Sequence, residues 1–165
     1  MSATIRAAAP ADVGAIHALM YELAEFEKLT HLFTGTPELL SDALFGAHPA
    51  AEALVAEDAG QIVSYAVFFH NYSTFIGRRG MYLEDLYVKP EQRGTGLGTA
   101  MLRALAAIAV ERNCARFEWS VLDWNEPAIR FYEKMGATIH SDWRIVRVTG
   151  DALDKLAAPD QPAIA

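Results

Sequence analysis

One stretch limits what this chain can become: residues 81–113, MYLEDLYVKPEQRGTGLGTAMLRALAAIAVERN. Its first part, Met81–Val88, is rich in β-branched and aromatic residues and reads as a strand. Lys89-Pro90 ends that strand, because proline has no N–H to give to a ladder. Arg93-Gly94-Thr95-Gly96-Leu97-Gly98 is a glycine-rich turn, and from Gly96 onward the spacing becomes helical, with Leu97, Met101, Leu105 and Ile108 on one face. The order is therefore strand, glycine loop, helix.

That order suits an anion. Glycines admit positive φ and keep side chains out of a ligand's path. The first N–H groups of a helix lack internal partners, and the helix dipole makes that end electropositive. A pyrophosphate placed there is bound by main-chain amides, with Arg93 beside it. Three nucleotide motifs compete for the loop. A Walker loop needs Lys-Ser/Thr after its last glycine, and Gly98 is followed by Thr99-Ala100; the dinucleotide fingerprint needs glycine where Thr99 stands. The third pattern, Arg-x-x-Gly-x-Gly, is matched by Arg93, Gly96 and Gly98, and it resembles the acetyl-coenzyme A loop of the GNAT N-acetyltransferase superfamily.

A second block decides between them. Residues 123–137, DWNEPAIRFYEKMGA, resemble the last shared block of that superfamily, and they stand after the strand that follows the cofactor helix, as in the family. Leu83-Glu84-Asp85-Leu86-Tyr87-Val88, the segment 22–27 (ELAEFE), Trp124-Asn125-Glu126-Pro127, Phe131-Tyr132 and Trp143-Arg144 are similar to the diamine (spermidine/spermine) acetyltransferase branch, a likeness covering roughly residues 4–158. One departure is clear. Where the diamine enzymes carry Asp-Pro-Trp before the central strand, this chain has Ser73-Thr74-Phe75, so a carboxylate that could hold a polyamine's distal ammonium is missing.

The resemblance implies an α/β (α+β) fold, the GNAT fold. Its centre is a mixed, mostly antiparallel twisted sheet, with a parallel strand pair splayed at the cofactor site and helices on its flanks. It also implies acetyl-coenzyme A as cofactor and a homodimer. Composition sets the remaining bounds. A chain of 165 residues, 52% hydrophobic, suits a single domain over 1–165, with 157–165 a frayed tail. No apolar run of about 18 residues exists, so no membrane span is expected. The N-terminus lacks a secretory h-region, and the lone Cys114 argues for a reducing compartment, so the expected location is cytoplasmic. A net charge of −7 disfavours nucleic acid and is compatible with a cationic substrate. Five histidines without ligand spacing give no metal site.

Along the chain, strands are expected at 4–7, 53–57, 62–70, 81–88, 116–122, 138–140 and 144–148, and helices at 11–29, 37–45, 97–113 and 126–135, with a last helical turn at 151–156. Residues 71–79 read as a polar, aromatic loop. Strands 81–88 and 116–122, joined through a helix, are expected to be parallel.

The expected chemistry follows from the substrate. An alkylammonium with a pKa of ~10.4 is almost wholly protonated at neutral pH and cannot attack a thioester. The resemblance makes Glu84 the group that removes its proton, through water, and Tyr132 the acid for the coenzyme A thiolate; a phenol of pKa ~10 can protonate a sulfur of comparable basicity. Glu84 and Asp85 are neighbours on a strand, so only one can face the cleft unless a bulge intervenes. The resemblance gives the pantetheine arm to the backbone of Leu86, Tyr87 and Val88. It gives the diphosphate to Arg93, Gly94, Thr95, Gly96, Leu97, Gly98 and Thr99, with Asn125, Ala128 and Tyr132 completing the cofactor contacts. Asn125 is also readable as a helix cap, and Arg130 as a phosphate ligand or a solvated helix residue. Phe26, Glu27, Glu84, Asp85 and Trp143 are the expected amine-binding set. Rival readings are another amine acceptor on the same fold, such as a protein N-terminus, an aminoglycoside or a xenobiotic, and an acyl-coenzyme A-binding module without turnover.

Overall fold

Five strands form one sheet in chain order: β1 (Thr4–Ala7), β2 (Glu52–Asp58), β3 (Gln61–Ser73), β4 (Arg78–Val88) and β5 (Phe117–Trp119). The first four pair antiparallel, and β5 pairs parallel to β4. This is the mixed sheet expected. The computed structural model describes residues 3–158, so most of the tail expected at 157–165 lies outside the described residues. The chain divides into two compact units, Met1–Ser120 and Val121–Ala165.

Local chemistry explains the first unit. Ala59 and Gly60 both take positive φ, +48° and +79°, the two-residue turn whose twist matches a hairpin, so Asp58 faces Gln61 across it. At the other end of β3 the expected loop 71–79 contracts to residues 74–77. Gly77 at φ +71° donates its N–H to the Ser73 carbonyl at 2.8 Å, and Asn71, Tyr72, Ser73, Arg78 and Arg79 stay in the ladder. Polar residues were read as loop there, but a tight turn lets both strands run on.

Helix α1 (Val13–Phe26) covers one sheet face, with Ile16 and Leu19 packed on Val55, Tyr65, Val67 and Tyr87, and with Leu44 of α2 (Pro37–Phe45). Arg6 of β1 grips Asp12, at the start of α1, through two bonds of 2.7 and 3.0 Å. Helix α1 stops three residues earlier than its sequence pattern suggests. Lys28 takes φ +60°, its N–H reaches the Glu25 carbonyl (3.1 Å), and the Leu29 N–H reaches the Ala24 carbonyl (2.8 Å). That is the bonding of a Schellman ending, with lysine where glycine is usual. The opposite face carries α3 (Leu97–Glu111), which buries Leu97, Met101, Leu102, Leu105 and Ala109. Leu105 is fully buried, so Leu105→Ala is expected to lower stability by about 2–5 kcal/mol in urea unfolding with an unchanged m-value.

The second unit contains α4 (Glu126–Lys134) and α5 (Asp151–Leu156). The strands expected at 138–140 and 144–148 are not formed. Ile145 and Val146 are largely exposed, and β-branched residues without a ladder partner do not make a strand. β5 is likewise shorter than the expected 116–122.

Candidate active site

A bulge in β4 decides where the acids go. Val67 pairs with Asp85 and the next residue, Phe68, pairs with Leu83, so Glu84 is the extra residue in the ladder. Glu84 is exposed. Asp85 shares a sheet face with Tyr65, Val67 and Tyr87, the face under α1. The alternative that the sequence left open, a bulge between neighbouring acids, is the one realised.

Under α1 the polar groups form a connected set. The fully buried Tyr65 donates its hydroxyl to Asp85 Oδ2 at 3.1 Å, and the Tyr87 hydroxyl donates to Glu22 Oε2 at 2.9 Å. Burial pushes the Asp85 carboxyl above the ordinary aspartate value; the Tyr65 hydroxyl pulls it back, and the Glu84 charge adds to the rise. Glu27, the cap of α1, is also raised, first by burial and then by the Asp85 charge. Tyr65 is held well above the usual phenol value by burial and by Asp85, and Tyr87 is pushed up to about 12 by burial and Glu22. The Schellman ending of α1 is what presents Phe26 and Glu27 here. Sequence reasoning found Glu27 and Asp85 but missed Tyr65; its signal was a hydroxyl one residue pair away from Asp85 on the inward face of a strand.

The glycine loop continues from β4. Past Leu83 the ladder with β5 ends, at Trp119, and the edge of β4 on that side is unpaired among the described residues. The Lys89 N–H bonds the Val63 carbonyl at 3.0 Å, so residues of that parity face β3, and the main-chain groups of Leu86 and Val88 face the opened edge. There the Val88 carbonyl accepts from Arg93 Nε at 3.0 Å. The Arg93 guanidinium lies over the rings of Phe26 (5.3 Å) and Tyr87 (5.5 Å), joining the loop to the acidic face. Thr95 Oγ1 donates to the Gln92 carbonyl at 2.7 Å. Gly94 and Gly96 take φ +78° and +89°, and a Cβ on either would meet nothing within 4 Å. Gly96 caps α3 with no side-chain bond, and the first helical bond runs from the Ala100 N–H to the Gly96 carbonyl at 3.0 Å. The amides of Leu97, Gly98 and Thr99 therefore precede the first helical bond, the unpaired donors that a diphosphate requires.

In the second unit, Asn125 Oδ1 accepts from the Ala128 N–H at 3.4 Å, capping α4. Tyr132 lies in α4 beside Phe131, ring centroids 5.4 Å apart. Arg130 pairs with Glu126 at 3.2 Å on the exposed helix surface. Trp143 is 78% exposed. Among the described residues no group of three or more His, Cys, Asp or Glu side chains is placed to hold a metal, and no helix is long and apolar enough to cross a membrane.

Residues 17–137, which include the bulge and the glycine loop, match the acetyltransferase (GNAT) family. The chain belongs to the GNAT acetyltransferase family. This N-acetyltransferase is 38% identical to thialysine N-epsilon-acetyltransferase of Mus musculus over 94% of its own length and 98% of the relative's. It is 33% identical to L-ornithine N5-acetyltransferase NATA1 of Arabidopsis thaliana, over 94% and 88%. An integron cassette protein from the mobile metagenome of V. cholerae has the same fold, with a TM-score of 0.80 at 25% identity over 95% of this chain and 98% of that one.

Proposed function

We propose that this GNAT enzyme transfers an acetyl group from acetyl-coenzyme A to a primary amine of a small cation that carries a second positive group, such as a diamine, a polyamine or a lysine-like amino acid. The observation that carries the reading is the β4 bulge, which breaks the alternation of two adjacent acids: Glu84 becomes the extra, exposed residue and Asp85 is turned onto the face under α1, where its charge acts on Glu27. Relatives that act on ornithine and thialysine support the substrate class.

Bound acetyl-coenzyme A would supply the thioester, its diphosphate on the amides of Gly94–Thr99 and its arm along Leu86–Val88. The residues divide the rest. Asp85 and Glu27 attract the substrate's distal ammonium. Glu84, exposed at the bulge, takes the proton from the reacting ammonium through water, leaving a free amine. A main-chain amide near Leu86 faces the developing negative oxygen. Tyr132 would give its hydroxyl proton to the leaving sulfur and be reprotonated by the second proton that the amine sheds as the amide forms, with Asn125 and Ala128 at the start of its helix. The transfer is direct, within one ternary complex. One functional domain over 1–165, a homodimer and a cytoplasmic location complete the proposal; the family match runs across both structural units.

A panel of amines with acetyl-coenzyme A, read by thiol release, tests it. Release should be fastest with diamines and diamino acids and slow with a monoamine. Coenzyme A binding without release on any amine would leave a binding module instead. Asp85→Asn should raise KM for a diamine about tenfold or more, as loss of a charged hydrogen bond does, with a much smaller change for a monoamine. The pH dependence has a fixed sign. A raised carboxyl pKa means that the Asp85 charge arrives late as pH rises, so KM for the dication should fall through that window, and Asp85→Asn should flatten the fall.

A further inference from the structure

Away from that site the same unit holds an open recess of about 540 Å³, lined by His70, Tyr72, Gly77, Arg78, Arg79, Arg112 and Asn113. It lies where β3 and β4 meet their tight turn and where α3 ends. Three of the chain's 14 basic residues converge here in a protein of net charge −7. Arg112 is largely accounted for: it grips Glu52 through bonds of 2.5 and 2.8 Å and lies over the Phe68 ring at 5.9 Å. Arg78 gives one bond, at 2.8 Å, to the neutral Asn113 Oδ1. Neither Arg78 nor Arg79 has an ion-pair partner among the described residues. His70 Nε2 is buried without a hydrogen-bond partner. Arg78 has only a neutral acceptor and neither arginine has an ion pair, so an acceptor-rich anion in the recess would supply the charged partner that both lack.

We propose that this recess binds a phosphate group, free or as the monoester of a small molecule, on the guanidinium donors of Arg78 and Arg79, beside His70. Guanidinium forks fit tetrahedral oxyanions bidentately, and the half-exposed Tyr72 ring on the rim offers a surface for an ester substituent. The charged groups facing His70 are Arg79 of β4, Arg112 just past α3 and Glu52 of β2; burial and the two arginines hold the imidazole below its ordinary value, and Glu52 opposes them. An anion seated in the recess offsets the charges of Arg79 and Arg112 on the imidazole, so the ring should gain a proton as phosphate binds. This site is independent of the acetyl-transfer reading.

The test is an NMR titration with inorganic phosphate, the glycine loop being kept occupied by saturating coenzyme A. The His70 ring signal, identified with His70→Gln, should respond saturably, and its titration midpoint should rise. The double variant Arg78→Gln/Arg79→Gln should weaken the response about tenfold or more while leaving coenzyme A affinity intact, which also certifies that the variant is folded. Arg79→Lys, which keeps the charge and loses the fork, should give an intermediate loss. Phenyl phosphate separates the sources: tighter binding that Tyr72→Ala abolishes points to a monoester, and equal binding to free phosphate. A His70 signal indifferent to millimolar phosphate, or an undiminished response in the folded double variant, would overturn the proposal.

Discussion

Replacing Tyr132 by phenylalanine is expected to slow acetyl transfer by about 10²–10⁴-fold, the range that a positioned general acid supplies. The substitution deletes one oxygen from α4 and leaves the ring that packs beside Phe131, so helix and cap should persist. Without the phenol, the sulfur must leave as a bare thiolate or take its proton from water. The loss should fall on kcat, with KM for the amine nearly unchanged, because the amine is held elsewhere in the proposal, by Asp85 and Glu27. It should shrink for acetyl donors whose leaving thiol is more acidic and needs less help. A rate equal to that of the parent enzyme would remove Tyr132 from the chemistry.

Gly96→Val is expected to weaken coenzyme A binding roughly tenfold or more, and acetyl transfer at limiting cofactor in proportion. Gly96 sits at φ +89°, a region that valine's branched Cβ resists, so the loop must rearrange to accommodate it. Rearrangement moves the amides of Leu97, Gly98 and Thr99, which precede the first helical bond of α3. Where the loop tolerates the strain, the isopropyl group stands in the open space in front of those amides and blocks approach. Calorimetric titration with coenzyme A measures this directly. An unaltered affinity would contradict the assignment of the loop.

The parts of the fold legible in the sequence were those set by local rules. Pro37 after Thr36 and Asn125 before Pro127 announce helix starts, and the structure caps both as expected. The change from alternating to helical spacing at Gly96 marks the start of α3 at Leu97. What local rules missed depended on partners distant in the chain. The end of α1 is closed by Lys28 in the left-handed region, and a lysine carries no such signal. Tyr72 and Arg79 look like loop residues until β3 and β4 are seen to pair through them. Ile145-Val146-Arg147-Val148 has strand propensity and no ladder. The site divides in the same way. Glu84, Asp85 and Glu27 entered as what the family resemblance implies and the glycines as a motif, whereas Tyr65 is assigned by a hydrogen bond that only register creates.

The register at Glu84 has a consequence for how this sheet is constructed. Were position 84 absent, Leu83 would still oppose Phe68 and Asp85 would still oppose Val67, on alternate faces of an unbroken ladder. Pairing and core packing therefore make no demand for this residue. Natural sheets shed such irregularities where nothing depends on them; here the irregularity sits at the one point where β4 has just lost its neighbour on the other side. Two departures from regularity, each weakening the lattice, coincide within a single turn of the pleat, and Asp85 takes the face that strict alternation from Leu83 would have denied it.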